Sequence, residues 1–389
     1  MPTAMSAMRI GLIAPEFKEF GGMAEFGRQL AAGLAPRDDV VVFTRHDAPG
    51  DDERWQGIPL RRVLTRELSA DLAVLADHRC DVWFACNAGY AAAASHLSAP
   101  LAIYVNGNDL LRPWVHRSRP WVRHIETSTV VWRIVPALRE RLRVRDLRKG
   151  LADAAGILAN SANTAAILAR LYPGNEGHTS VVHPGVAEDF FQERPERRPG
   201  PLRLLTVTRL DRGTPRKNVD GVLRALALLP SDLDVRYTVV GDGKDRSRVE
   251  NLAEELGVAG RTRFEGFVGR ERLKELYADA DLFVLASRAS DTDVEGFGIV
   301  YMEASAAGTP VICSRTGGSI DAVVDGENGL LIRDSEPTTI AAALGIYADH
   351  PGQFDPERVR AVAEGFRWPA IAARVRTILE RCAAGRGER

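Results

Sequence analysis

Cysteine is scarce in this chain: there are four in 389 residues, Cys80, Cys86, Cys313 and Cys382, with no C-x-x-C and no histidines at zinc-ligand spacing. This argues against a disulfide scaffold or a zinc framework and leaves reduced, buried thiols as the reading. Charge of one sign is also lacking. Lys and Arg total 51 against 52 Asp and Glu, so there is no general attraction to nucleic acid, and any electrostatic role must come from local clustering. No apolar run reaches the length of a membrane span. The run in "MRIGLIAP" stops at Pro15, much shorter than a secretory apolar region with its cleavage site. A cytoplasmic location is the expectation. The G-x-G-x-x-G dinucleotide fingerprint is missing as well: "GDGKDR" lacks its third glycine and "GGMAEFG" has the wrong spacing, which sets nicotinamide chemistry aside.

What is present is length and rhythm. A chain of 389 residues, 45% hydrophobic and 26% charged, is too long for one ordinary core and has the balance of a globular protein. Short β-branched runs ("RIGLIA", "DVVVFT", "DVWFAC", "LAIYVN", "GILANS") alternate with amphipathic segments such as 22–34. That alternation predicts an α/β, doubly wound parallel sheet. It breaks at "FFQERPERRPGPLR", residues 190–203, whose prolines and dense charge read as an interdomain linker. It then restarts with "LRLLTVTRL", "VRYTVVGDG", "TRFEGFV", "ADLFVLAS", "TPVICS" and "NGLLIR", with helices expected over 218–229 and 246–256. The expected domains are 1–195 and 196–365, with 366–389 a terminal helix packing back on the first. In such sheets ligands bind beyond the carboxyl ends of the strands, so the loops there are where chemistry is sought.

Several of those loops carry suggestive residues. In "VEGFGIVYMEASAAGTPVI", residues 294–312, the glycines put Glu295 on a loop and Glu303 inside the following helix. Gly21 and Gly22 precede a helix start, where backbone N–H groups approach an anion closely. "DTD" at 291–293 has the form of a divalent-metal motif, but a solvated loop is the expected reading and no metal is expected. Residues 112–149 hold eleven Arg and Lys, from Arg112 to Lys149, interleaved with Trp114, Trp121 and Trp132. Arg with Trp suits an anionic membrane surface or a phosphate-bearing acceptor, giving an expected peripheral contact at the inner face of the cell membrane.

Taken in order, "GGMAEFGRQLA", "VVHPGV", "VTRLDRGTPRKN" and the E-x7-E of Glu295 and Glu303 resemble the retaining glycosyltransferases of the two-Rossmann-domain (GT-B) type, specifically family 4, over nearly the whole chain. The resemblance implies two Rossmann-like domains facing each other across a cleft, the first binding acceptor and the second donor. It implies a hexosyltransferase using a UDP- or GDP-sugar and a hydroxyl acceptor such as a glycan, glycolipid, lipid-linked or small-molecule species, with no cofactor. Arg209 and Lys217 stand where the family binds the donor's diphosphate, so catalysis is assigned to Glu295, Arg209 and Lys217.

A carboxylate is repelled by a diphosphate and accepts hydrogen bonds from hydroxyls. The resemblance accordingly assigns Glu295 to the transferred sugar and Glu303 to the ribose. Gly22, and the backbone N–H groups of Phe297, Gly298 and Ile299, are expected to serve the donor, and Gly241, Gly266, Phe267 and Val268 its base. Asn106 replaces a histidine frequent in the family; with Asp109 it is the candidate for sugar or acceptor contact. That replacement keeps a non-catalytic nucleotide-sugar-binding subunit as an alternative, beside a GT-B sugar-nucleotide epimerase or phosphorylase.

Overall fold

The computed structural model describes residues 7–17, 21–48, 53–65, 67–113, 135–196, 199–211 and 215–385. The chain divides into two compact units, Met1–Pro184 with Trp368–Arg389, and Gly185–Arg367.

In the first unit the strands are β1 (Arg9–Ile13), β2 (Asp39–Arg45), β3 (Arg54–Trp55), β4 (Ile58–Leu64), β5 (Val82–Ala85), β6 (Leu101–Val105), β7 (Gly156–Ala159) and β8 (Thr179–Val181). Among the described residues they make one sheet in the order β3-β4-β2-β1-β5-β6-β7-β8. Every pairing is parallel except β3 with β4. That hairpin turns on Gln56 and Gly57, both at positive φ (47° and 82°), as a two-residue turn matched to strand twist requires. β5 and β6 are buried along their whole length, which is why they read as unbroken apolar runs rather than alternating ones. The helices are α1 (Gly22–Leu34), α2 (Leu68–Ala76), α3 (Gly107–Leu111), α4 (Val135–Asp153) and α5 (Ala162–Leu171).

The second unit is built from β9 (Leu202–Val207), β10 (Val235–Val240), β11 (Thr262–Gly266), β12 (Leu282–Leu285), β13 (Val311–Ser314) and β14 (Gly329–Ile332). These pair in parallel in the order β11-β10-β9-β12-β13-β14. Strand order reverses between β9 and β12, the position at which doubly wound sheets open a ligand crevice. Helices α6 (Val219–Leu228), α7 (Arg246–Glu255), α8 (Arg270–Asp279), α9 (Ile299–Ala306) and α10 (Ser319–Ala322) connect them, and α11 (Pro337–Asp349) and α12 (Pro356–Glu364) follow the last strand. Leu204, Tyr237, Val239, Leu223, Val284 and Leu344 belong to one buried cluster joining sheet and helices.

The passage between units lies at Pro184 and Gly185, ahead of the expected boundary at 195/196. The proline-rich stretch looked like a linker by composition, but its first half is anchored to the second unit. Phe190 is buried with its ring 5.8 Å from that of Tyr277, and Arg194 donates to the carbonyls of Gly308 and Ala280.

The last helix, α13 (Trp368–Ala384), returns to the first unit. Its proline, Pro369, sits in the first turn, where a missing N–H costs nothing. Trp368, Ile371, Val375, Ile378 and Leu379 form its buried stripe, and each contributes roughly 1.5–3 kcal/mol by leaving water. The Arg376 guanidinium donates to both oxygens of Asp38 at 2.8 and 3.0 Å, while the N–H of Met8 donates to the same carboxylate at 3.0 Å. Helix α1 meets α13 closely at Gly33: a Cβ there would lie 2.5 Å from that of Ala372.

Candidate active site

In the second unit, the chain leaves β9 through Thr208 and Arg209 and reaches the short turn Pro215–Lys217. Asn218 pins the end of this turn. Its backbone is left-handed (φ 51°), and its buried amide donates to the carbonyls of Ala286 and Ser335, both at 2.9 Å. This ties the loop after β9 to the end of β12. The N–H of Arg288 also donates to the Arg216 carbonyl at 2.7 Å.

Two cations and two carboxylates meet there. Lys217 Nζ lies 2.6 Å from Glu295 Oε2, Arg216 Nη1 lies 2.8 Å from Asp293 Oδ1, and Arg216 Nε lies 3.8 Å from Glu295 Oε2. All four side chains are largely shielded, with Lys217 the most open at 17% exposure and Glu295 at 8%. Burial pushes the Glu295 carboxyl up, but the charges of Lys217 and Arg216 and hydrogen bonds from Lys217 and Ser287 outweigh it, leaving the pKa below the ordinary value. Glu295 is thus held as a carboxylate between Lys217 and Arg216.

The remaining expected donor residues lie at and within α9 and at the ends of β10 and β11. Gly298 immediately precedes α9 in a left-handed conformation (φ 84°). Phe297 is buried against Phe366, rings 5.6 Å apart, so its side chain belongs to the core. Ile299 is the first residue of α9, and Glu303, inside that helix, accepts a hydrogen bond from the Tyr277 hydroxyl at 2.8 Å. The N–H of Gly241 donates to the Gly266 carbonyl at 2.8 Å, bringing the ends of β10 and β11 together. Gly241 is needed for close approach: at φ 126°, a Cβ there would sit 1.8 Å from the Thr208 oxygen. Phe267 is 67% exposed beside it, and Val268 is half-buried. Arg209 is exposed, with no side-chain partner among the described residues.

Glu295 is held by Lys217, because a carboxylate this deeply buried is stable only when paired. One expectation is corrected. The "DTD" loop is not uniformly solvated. Asp291 is exposed, whereas Asp293 is buried in its ion pair with Arg216. Among the described residues no group of three or more His, Cys, Asp or Glu is placed to hold a metal. Arg216 and Tyr277 were missed, and Asp293 was weighed only as part of a metal-like motif. Arg216 and Asp293 had a signal for the quartet: Arg216 adjoins Lys217, and Asp293 lies two residues before Glu295, a spacing that puts both acids on one face of an extended loop.

In the first unit, Gly21 (φ 121°) precedes α1 and Gly22 opens it, with no atom of the described residues near where a Cβ would stand. Asn106 follows β6 and caps α3. Its N–H and its side-chain amide donate to Asp109 Oδ2 at 3.1 and 3.2 Å, the amide nitrogen lies 3.2 Å from Met23 Sδ, and Oδ1 accepts from Asn160 at 2.8 Å. The ends of β6 and β7 and the start of α1 therefore share one polar network, of which Asn160 was not foreseen. On α4, Arg141, Arg145, Arg148 and Lys149 are exposed along one face. Trp114, Trp121, Trp132, Arg117, Arg119, Arg123 and Arg133 lie outside the described residues. Among the described residues no helix is long and apolar enough to cross a membrane.

Residues 20–190 match the family model "Glycosyltransferase Family 4" and residues 188–363 match "Glycosyl transferases group 1". The D-inositol 3-phosphate glycosyltransferase of Thermomonospora curvata is 31% identical over 93% of this chain and 90% of its own length. This chain belongs to glycosyltransferase family 4. The GDP-mannose-dependent α-(1-6)-phosphatidylinositol monomannoside mannosyltransferase of Mycolicibacterium smegmatis is 31% identical over 72% of this family 4 chain and 74% of its own. The match to the D-inositol 3-phosphate glycosyltransferase of Streptomyces griseus, at 34% identity, covers 56% of this chain and 52% of that protein. The chain thus spans about half the length of several curated relatives that it matches.

Among solved structures, sucrose-phosphate synthase from Thermosynechococcus elongatus superposes with a TM-score of 0.76 at 23% identity, covering 97% of this chain and 99% of that one. HepE of Anabaena in complex with UDP and glucose gives 0.73 at 19% identity, covering 96% and 99%. These show that the family 4 chain has the GT-B fold, with its two parallel-sheet domains.

Proposed function

We propose that the protein transfers a hexose from a UDP- or GDP-sugar to a hydroxyl acceptor, with retention at the anomeric carbon. The observation that carries this reading is the Lys217–Glu295 pair where the strand order reverses between β9 and β12. Breaking the bond between the sugar and the diphosphate puts negative charge on the leaving oxygen. A cation fixed beside that oxygen lowers the barrier, by roughly 3–4 kcal/mol for a single donor in comparable sites. Lys217, joined by the exposed Arg209, supplies that charge, so the reaction needs no divalent ion. Glu295, released from Lys217, accepts hydrogen bonds from the sugar's hydroxyls, and Glu303 those of the ribose. The acceptor oxygen bonds to the anomeric carbon on the face that the diphosphate leaves, and its proton passes to a phosphate oxygen.

The names of the relatives point to an inositol phosphate, free or in a lipid, as acceptor. The exposed Arg141, Arg145, Arg148 and Lys149 fit such an anionic acceptor at the inner face of the cell membrane. Purified protein should be incubated with UDP-glucose or GDP-mannose and with D-inositol 3-phosphate or phosphatidylinositol vesicles. Nucleoside diphosphate release and the anomeric configuration of the product are then measured. Acceptor-dependent release with retained configuration supports the reading. Binding without release over hours favours a non-catalytic subunit, for which the engaged Asn106 amide is the motive, and an inverted product refutes retention.

A further inference from the structure

Arg216 lies beside Lys217 and Glu295, two of the residues assigned to the reaction, without having a part in it. Its guanidinium is fixed on one side: Nη1 bonds Asp293 at 2.8 Å, the backbone carbonyl accepts from Arg288, and Asn218, two residues on, is anchored. On the other side, Nε is buried with no hydrogen-bond partner among the described residues and stands 3.8 Å from Glu295 Oε2, the same oxygen that Lys217 holds. A buried N–H left unpaired is costly and calls for a reason. Lys217 is a flexible point charge and the most exposed member of the quartet. When it turns toward a diphosphate, Glu295 loses its close counter-ion while still buried, a situation that is strongly unfavourable unless another cation replaces the first.

We propose that Arg216 is a positioning residue that takes over Glu295 through its unpaired Nε when Lys217 leaves for the donor's diphosphate. Asp293 keeps the guanidinium in place before and after the exchange. The inference rests on the proposed role of Lys217 as the diphosphate cation. It implies that Glu295 competes with the diphosphate for Lys217 in the absence of a sugar, and that Arg216 lightens that competition.

The test is calorimetric binding of UDP and GDP to the wild type, Glu295→Gln, Arg216→Gln and the double variant. Glu295→Gln should bind nucleoside diphosphate more tightly than the wild type, and Arg216→Gln should bind it about 10-fold more weakly. In the Glu295→Gln background the Arg216 substitution should have no effect, since there is no carboxylate left to strand. An equal loss in both backgrounds, as expected of a direct phosphate ligand or a purely structural residue, overturns the proposal. If Arg216→Gln does not fold, Arg216→Lys keeps the charge on Asp293 and lacks the Nε donor. It should show the same background-dependent loss, and wild-type binding by it overturns the proposal. A wild type that binds diphosphate but transfers no sugar removes the catalytic reading alone, and the cycle still decides the role of Arg216. A wild type that binds neither UDP nor GDP overturns both.

Discussion

Glu295→Ala separates the stabilising role of the buried quartet from its chemistry. In the wild type two cations face two carboxylates; the substitution leaves Lys217 and Arg216 facing Asp293 alone. Removing one partner of a fully buried pair costs about 3–5 kcal/mol. Because Lys217 keeps 17% exposure and its ammonium can turn to solvent, the expected loss is smaller, about 2 kcal/mol. For a unit of this size that lowers Tm by about 4–8 °C. The pH dependence has a definite sign. The folded-state pKa of Glu295 is depressed, so its contribution is fully present above the unfolded carboxylate pKa of about 4.3 and is lost as pH falls through the folded value. The Tm gap between wild type and variant, followed by calorimetric melting, should therefore be full near about pH 7 and begin to narrow only as pH falls below about 4.3. Transfer activity should be lost at every pH. A gap under about 1 °C at neutral pH, or one unchanged into acid, would refute the paired, ionised state of Glu295.

Three further outcomes are expected. Gly241→Ala combines a disfavoured φ of 126° with a Cβ 1.8 Å from the Thr208 oxygen; it should cost more than about 4 kcal/mol, and a variant melting like the wild type would show that the two loops can separate freely. Asn106→Ala removes a helix cap worth about 1 kcal/mol and should lower kcat far more than it changes the donor KM, measured by steady-state kinetics; a change confined to KM would move Asn106 from the reaction to ground-state binding. Combining Arg141→Glu, Arg145→Glu and Arg148→Glu should abolish sedimentation with anionic vesicles at low salt and leave neutral vesicles unaffected, whereas persistent binding would take the membrane contact away from α4.

Much of the architecture was legible because parallel strands buried on both faces are continuous apolar runs: "VWFA" and "LAIYV" admit little else once helices separate them. Helix α1 lies where its spacing predicted, at Gly22–Leu34. The hairpin β3–β4 and the short β8 were not foreseen, since a two-residue strand and a half-buried "TSV" carry no periodic signal. The division at Pro184 was hidden because composition reports solubility and not anchorage, and Phe190 and Arg194 are what tie the segment down. At the site, the family resemblance singled out Glu295 and Lys217, but sequence could not show that each is the other's counter-ion. That depends on Asn218 drawing a loop after β9 onto the end of β12, a contact between residues 68 positions apart.

The return of α13 to the first unit has a consequence for how the chain is made. Synthesis runs from the N terminus, so the sheet β1–β8 emerges well before the helix that covers part of it. All of residues 185–367 are translated in between, which at about 5–20 residues per second takes on the order of ten seconds or more. Over that interval Phe26 lacks the Trp368 ring that meets it edge-on at 5.4 Å, and the buried Asp38 lacks Arg376. The nascent first unit therefore waits with the apolar seat of α13 uncovered and Asp38 without its guanidinium, while the second unit, contiguous in sequence, is free to complete itself first.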